Sequence, residues 1–341
     1  MRYLHAHSIS SHDVRYAFAS GRVRALELNL IGKQRMERLA EARDVEECMR
    51  LLADTAYGEH LEEIEEAGYE TFLRNEEARL LELVDSLSLD RPLSDVLRLE
   101  YDFNNLKVLL RESFAGRDLS VLYMDRGKYP VEEIKALLEE DTPERMPAPL
   151  NEAAARGTAA WNETADPADV DTAVDGVMFE HFLGVAADYK VPYLETLMQV
   201  KIDLANVRTF LRARYIELEP RGLERLFYPG GSVKIEVFTS TFQLPIEEVL
   251  ARFQFSPYRP VIEKGWAALT SKNSFVPLER EIDSHVVAFL KLSKYFTFGF
   301  EIVMTYALMK KSEIKTLRLI LAAKEKDMPA EAIKERIPDA F

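Results

Sequence analysis

In "LRLEYDFNNLKVLLRE" (97–112), apolar side chains recur mostly at three- and four-residue intervals, and this predicts a helix with one buried face. The stretch "MQVKIDLANVRTFLRA" (198–213) has the same pattern at a shift of 101 residues. Leu99, Tyr101, Phe103, Leu106, Leu109 and Leu110 fall over Val200, Ile202, Leu204, Val207, Phe210 and Leu211, apolar at every position. The polar residues coincide as well: Asp102 over Asp203, Asn105 over Asn206 and Arg111 over Arg212. One packing arrangement is therefore specified twice.

Two weaker echoes extend the repeat. A short core of branched aliphatic, basic, any and apolar residues occurs as Val23-Arg24-Ala25-Leu26, Leu106-Lys107-Val108-Leu109, Val207-Arg208-Thr209-Phe210 and Ile314-Lys315-Thr316-Leu317. A second signature follows each copy, at Val45-Glu46-Glu47-Cys48, Val131-Glu132-Glu133-Ile134, Ile246-Glu247-Glu248-Val249 and Ala330-Glu331-Ala332-Ile333. Pro130, Pro245 and Pro329 precede three of them. Proline is tolerated in a first helical turn and glutamate there favours the dipole, so the signature reads as a helix start. The copies of the long-helix core are spaced by 83, 101 and 107 residues, which is domain size and too long for a helical solenoid. The expectation is an all-α fold of three similar helical bundles in a pseudo-threefold arrangement. Their approximate, interleaving boundaries are 1–120, 121–225 and 226–341.

The rest of the pattern agrees with helix. "RVRALELNLI" (22–31), "MERLAEARDVEECMRLLAD" (36–54) and "EARLLELVDSL" (77–87) have helical periodicity. Gly32, Gly58, Gly68 and Gly116 mark expected helix ends, and "DTPERMPAPL" (141–150) reads as a connector. In "SVKIEVF" (232–238), Val233, Ile235 and Val237 alternate with Lys234 and Glu236, which fits a short strand and an irregular helix equally.

Composition narrows the chemistry. The single cysteine, Cys48, rules out an intramolecular disulfide framework and fits a reducing, cytosolic setting. It stands where other copies of the helix start have Ile or Val, as a small core hydrophobe. The apolar run "YFTFGFEIVMTYALM" (295–309) is shorter than the roughly 18–20 residues of a spanning helix and contains Glu301, so a buried core helix is expected. "MRYLHAHSIS" lacks a signal-peptide layout. A net charge of -14 argues against nucleic acid as a partner.

Catalytic constellations do not emerge. Phosphate-loop, dinucleotide, nucleophile-elbow and paired-histidine metal motifs are missing from the sequence, and "YPGGSV" (228–233) reads as a lone Gly-Gly turn. His5, His7 and His12 are read as solvent-exposed, and His60, His181 and His285 are isolated. Glu62, Glu63, Glu65 and Glu66 read as a solvated helix face. The sequence assigns no catalytic, cofactor-binding or metal residues and no cofactor. Asp102 with Asn105, and Asp203 with Asn206, share a helix face beside the apolar stripe. Buried polar groups need partners, so hydrogen bonds between helices that set register are expected there, in preference to a ligand site.

Taken together, "YAFASGRVRALE" (16–27), "YDFNNLKVLLR" (101–111), the Pro-x-Glu-Glu starts and the run from 299 to 337 resemble the C subunit of the V-type or A-type ATP synthase, related to the d subunit of the vacuolar ATPase. The strongest match is Gly299, Glu301, Ile314, Lys315, Leu317, Arg318 and Pro329. Ile302 and Thr316 depart from residues common in the family, proline and asparagine. The resemblance implies a funnel-shaped protein of the central rotor stalk, a socket between the two axle subunits, D and F, and the membrane ring of proteolipids. It would transmit torque without catalysis, coupling ATP synthesis or hydrolysis to proton or sodium transport. Its implied location is the cytoplasmic face of the membrane, peripheral and without a span.

Residues 259–341 carry 14 Lys+Arg against 11 Asp+Glu, net +3, leaving -17 for the remainder. Cytoplasmic loops of membrane proteins tend to be basic, so the acidic part is expected to favour the ring. The competing class is a stand-alone helical scaffold.

Overall fold

The computed structural model describes residues 9–140 and 145–339, apart from the side chains of 62–67. Among the described residues there are helices and no strands. The amino-terminal segment forms α1 (Ala17–Glu27), α2 (Lys33–Glu41), α3 (Val45–Leu52) and α4 (Glu62–Leu87). The middle of the chain forms α5 (Arg91–Ala115), α6 (Val131–Glu139), α7 (Ala148–Thr164), α8 (Pro167–Asp188), α9 (Pro192–Tyr215), α10 (Ile235–Thr241) and α11 (Ile246–Arg252). The carboxy-terminal segment adds α12 (Arg259–Lys272), α13 (Val276–Leu290), α14 (Phe300–Glu325) and α15 (Ala330–Lys334).

These helices form two compact units. Unit 1 joins the chain ends, Met1–Leu89 with Leu250–Phe341, and unit 2 is Asp90–Val249. Each contains two copies of the repeated helix core: α1 and α14 in unit 1, α5 and α9 in unit 2.

Unit 1 is organised around α14. Every residue from Phe300 to Ala307 is buried, as a helix apolar on all sides requires. Helices α1, α2, α3, α4, α13 and α15 pack on it. Met36, Leu39, Cys48, Leu52, Phe72 and Leu317 belong to one continuous core there. Polar bonds also draw the chain ends together, Lys33 to Asp339 at 2.8 Å and Lys334 to Glu41 at 2.8 Å.

In unit 2, α8 packs against α5, α7 and α9. Phe103 meets Phe182 edge to face with ring centres 6.1 Å apart. Lys107 on α5 pairs with Asp175 on α8 at 2.7 Å, and one turn along Arg111 pairs with Asp171. The repeat register carries the burial with it: all twelve superposed apolar positions of α5 and α9 are buried.

Local differences from the periodicity have identifiable causes. The helix expected over 36–54 is divided, because Asp44 caps a new helix by accepting from Glu47 N at 2.8 Å. Pro130 and Pro329 stand at the N-cap, one place before the first turn in which the sequence pattern put them. Gly116 ends α5 in the left-handed conformation, φ 59°. At Gly68, φ 79° and ψ 164°, the helical path of α4 is broken by a kink, so that two helical stretches meet at the glycine expected to mark a helix end. Within 232–238 the ambiguity resolves to helix, since α10 begins at Ile235 and the two residues at 232–233 direct their N–H groups to a buried carboxylate. Residues 141–144 of the expected connector lie outside the described residues.

Leu109 is 4% exposed in the α5 core. Leu109→Ala is expected to cost about 2–5 kcal/mol in urea unfolding. A loss under about 1 kcal/mol, the size of a solvent-face substitution, would contradict this packing.

Candidate functional site: buried polar clamps

Asp102 and Asn105 lie on the buried face of α5, both fully inaccessible to water. Each reaches the backbone of the loop that leaves α5. Asn105 donates from Nδ2 to Met124 O at 2.7 Å and accepts from Met124 N at 2.8 Å. Asp102 accepts from Lys128 N at 2.9 Å and Tyr129 N at 3.3 Å. Burial outweighs these donors and raises the Asp102 carboxyl to about 6.

The second copy repeats this solution on α9, where Asp203 and Asn206 are equally buried. Asn206 donates to Tyr228 O at 2.9 Å and accepts from Tyr228 N at 2.8 Å. Asp203 accepts from Ser232 N and Val233 N, each at 3.0 Å. In both copies a glycine precedes the donors because the carboxylate leaves it no room. A Cβ at Gly127 would stand 1.9 Å from Asp102 Oδ1, and one at Gly231 2.2 Å from Asp203 Oδ1. The Gly-Gly turn, featureless in the sequence, is thus part of the clamp.

The expected partner of these polar residues was a neighbouring helix. The structure replaces it with loop backbone, whose N–H groups would otherwise lack acceptors.

The same register positions on α14 are Lys310 and Glu313, with different chemistry. Glu313 is fully buried and accepts from Tyr57 Oη at 2.7 Å, from Lys310 Nζ at 2.7 Å and from the backbone N–H of Ile31. The Lys310 ammonium also lies 3.8 Å from the centre of the Tyr57 ring. Burial and the Glu313 charge push the Tyr57 hydroxyl well above its usual range. Here the clamped backbone, Ile31, lies between α1 and α2, more than 280 residues earlier in the chain. On α1 the equivalent positions are Ala19 and Arg22, which cannot form such a clamp. A fourth buried carboxylate, Glu301, accepts from Ser10 Oγ at 2.8 Å, Ser11 N at 2.7 Å and Ser11 Oγ at 2.7 Å. In the sequence Glu301 stands out as an interruption of an apolar run and as part of the family resemblance, with nothing to mark its partners, and Lys310 and Glu313 do not stand out at all. Extending the repeat four residues upstream of Ile314 brings the latter two into register with the Asp and Asn of the other copies.

The remaining candidates do not converge. Cys48 is buried with Sγ 3.4 Å from Leu39 O, and burial raises its thiol to about 11, which is unsuited to a nucleophile. His285 is packed against Tyr258, and burial lowers it to about 4. His181 is lowered by burial as well. His12 is exposed; His5, His7 and the side chains of Glu62, Glu63, Glu65 and Glu66 lie outside the described residues. Among the described residues no three His, Cys, Asp or Glu side chains gather as a metal site. A groove of about 940 Å³ between α5, α6 and α7 has a mixed apolar and polar lining, and its Glu112 and Lys135 are bonded to each other at 2.8 Å.

Comparison with known proteins gives one consistent result. The family described as ATP synthase (C/AC39) subunit matches residues 19–336. The C subunit of the A-type ATP synthase of Thermococcus kodakarensis is 25% identical over 333 residues, spanning 94% of this chain and 89% of that one. Its namesake in Methanocaldococcus jannaschii is 24% identical, spanning 94% and 85%. The C subunit of the V-type sodium ATPase of Enterococcus hirae is 20% identical, spanning 94% and 97%.

Two outcomes test the clamps. Between about pH 4 and pH 6 the native chain holds a proton on Asp102 that the unfolded chain has released. Asp102 therefore contributes a fall in stability as pH rises through that window, at most about 1.4 kcal/mol per pH unit. Urea midpoints followed over pH 4–7 should lose this component in Asp102→Asn; slopes identical to the parent chain would contradict the assignment. Glu313→Ala strands the Lys310 charge and is expected to cost about 3–5 kcal/mol. The double variant K310M/E313Q, which leaves no buried charge, should cost less by the same measurement.

Proposed function

The chain belongs to the ATP synthase (C/AC39) subunit family, and from that premise we propose that it is a non-catalytic central-stalk subunit of a V/A-type ATP synthase. In this reading it joins the two axle subunits, D and F, to the membrane ring of proteolipids and passes torque between them. It works at the cytoplasmic face as a peripheral subunit and needs no cofactor. No helix of the described residues is long and apolar enough to cross a membrane, which is compatible with that position.

The observation that carries the proposal is the set of buried clamps. A part that transmits torque has to deform little under load, and loops are where helical bundles ordinarily yield. Here the loops after α5 and α9 are fastened to the helix cores by fully buried Asp and Asn side chains, and α14 fastens the backbone at Ile31.

Folding redistributes the charge that the linear sequence divides into +3 and -17. Unit 2 has 18 Lys+Arg against 29 Asp+Glu, net -11, and unit 1 the remaining -3. We assign unit 2 to the ring side, because cytoplasmic loops of membrane proteins are enriched in Lys and Arg.

Pull-down of the tagged chain from membranes is expected to recover the axle subunits and the proteolipid ring together. A monomer without membrane partners would favour a stand-alone scaffold, and turnover by the isolated chain would contradict a non-catalytic role. Ring binding should weaken when salt rises from about 10 mM to about 150 mM, as the screening length falls from roughly 30 Å to 8 Å. Salt-independent binding would contradict the charge assignment.

A further inference from the structure

Asp169, in the first turn of α8, is 7% exposed. Its Oδ1 faces Arg225 Nε at 3.7 Å, beyond hydrogen-bond distance, and its buried Oδ2 has no hydrogen-bond partner. The helix dipole favours a carboxylate at this position but supplies no donor to Oδ2. Buried carboxylate oxygens ordinarily have donors brought to them, as at Asp102, Asp203, Glu301 and Glu313. Asp171, the other carboxylate of the described residues with a buried idle oxygen, receives a bond from Arg111 of α5. Asp169 instead lines a groove of about 330 Å³ within unit 2.

Helix periodicity builds the groove. On α8, Asp169, Thr172, Ala173 and Gly176 recur at three- and four-residue spacing and share one face; on α7, Ala160 and Thr164 do the same. A Cβ at Gly176 would meet no atom within 4 Å, so the floor is open there. The third wall is the segment from Arg225 to Pro229, in which Asn206 holds both the N–H and the C=O of Tyr228. That wall is fixed before any ligand arrives, which lowers the entropic cost of binding.

The lining sets the chemistry of the ligand. Thr164 donates to Ala160 O and Thr172 to Ala168 O, and Tyr228 Oη is directed to Asp175 at 3.5 Å. Arg156 is bonded to Glu152 and Glu180. Arg225, its side chain 56% exposed, approaches Asp169 without bonding it. The groove thus offers acceptors, chiefly the Asp169 carboxylate, with Glu163 exposed beside it. A metal ion would need several oxygens, and among the described residues no three His, Cys, Asp or Glu side chains gather. A cation carrying its own N–H donors suits Asp169, and a hydrocarbon stem suits walls of Ala160, Ala173 and Pro229.

We propose that the groove between α7 and α8 is a receptor for an organic cation, a primary ammonium or guanidinium on an alkyl stem, which bonds Asp169 and displaces Arg225. Arg225 is then an intramolecular competitor that partly neutralises Asp169 until a cation with better geometry enters. Two sources share this chemistry, the Lys or Arg side chain of another protein and a free polyamine. The site makes no use of the stalk role, so the two readings stand or fall separately.

The test titrates the full chain with spermidine and with Nα-acetyl-lysine amide, followed by ligand-observed NMR, with the Nε-acetylated, uncharged form of the latter as control. At least one cation is expected to bind with a Kd of about 1 mM or tighter, and the control not at all. Asp169→Asn should weaken binding about tenfold or more, as loss of a charge-assisted hydrogen bond does. Arg225→Ala should tighten it about two- to fivefold, the size of an exposed ion pair. Preference for the capped lysine assigns the groove to a protein side chain, and preference for spermidine to a free polyamine. Absence of binding by both cations overturns the proposal, as does binding that Asp169→Asn leaves unchanged, which is attraction to the acidic surface at large. Arg225→Ala alters an exposed side chain and keeps the fold whatever Asp169→Asn does, so unchanged or weaker binding in that variant also overturns it.

Discussion

A carboxylate removed from water is tolerable in a helical core only where donors are brought to it, and this constraint organises both units. Asp102, Asp203, Glu301 and Glu313 are all fully buried or nearly so, and each takes backbone N–H groups from a segment outside its own helix. The chain must therefore return to each carboxylate at a set distance. That requirement positions the loops, and the loops position the short helices after them.

Using backbone as the partner has a consequence that side-chain pairing between helices would not. An ion pair across two helices fixes their register but leaves the connecting loop free. Asn105 and Asn206 instead occupy both the N–H and the C=O of one loop residue, Met124 or Tyr228, and so fix that residue's position and orientation. Stability is concentrated in loops, where a domain is usually softest. The same arrangement explains why glycine stands at 127 and 231: the carboxylate approaches the backbone so closely that a Cβ has no place.

Much of this was legible in the sequence, and for a physical reason. Periodic burial leaves a trace in every residue of a helix, so α5, α9 and the core helix α14 could be read directly, and the coincidence of Asp102 with Asp203 announced a shared environment. What could not be read was the partner. A backbone N–H is present at every non-proline residue, so no residue type marks Lys128 or Ser232 as a donor. The third clamp was hidden differently: the equivalent positions hold a Lys310–Glu313 ion pair in which Glu313 fastens the backbone, and its partner, Ile31, lies at the other end of the chain. Chemical substitution together with long separation defeats an alignment that looks for identity. At Asp44 two signals in the sequence conflicted: the Val45-Glu46-Glu47-Cys48 signature marked the helix start that the structure has, while the apolar spacing continues across it and read as one helix.

Charge illustrates why linear and folded descriptions diverge. Along the chain the carboxy-terminal residues look like a basic region apposed to an acidic remainder. In the fold those residues join the acidic amino-terminal helices in unit 1, where Lys33–Asp339, Lys334–Glu41 and Arg318–Glu70 bring the two segments' charges into contact. Their opposite signs are thereby used internally, and unit 1 is left near neutrality at -3. The imbalance that remains for a partner to feel is the -11 of unit 2. A long-range field of this size steers encounter and is weakened by salt. Ionic strength is therefore expected to act mainly on association, and groups buried at a contact mainly on dissociation.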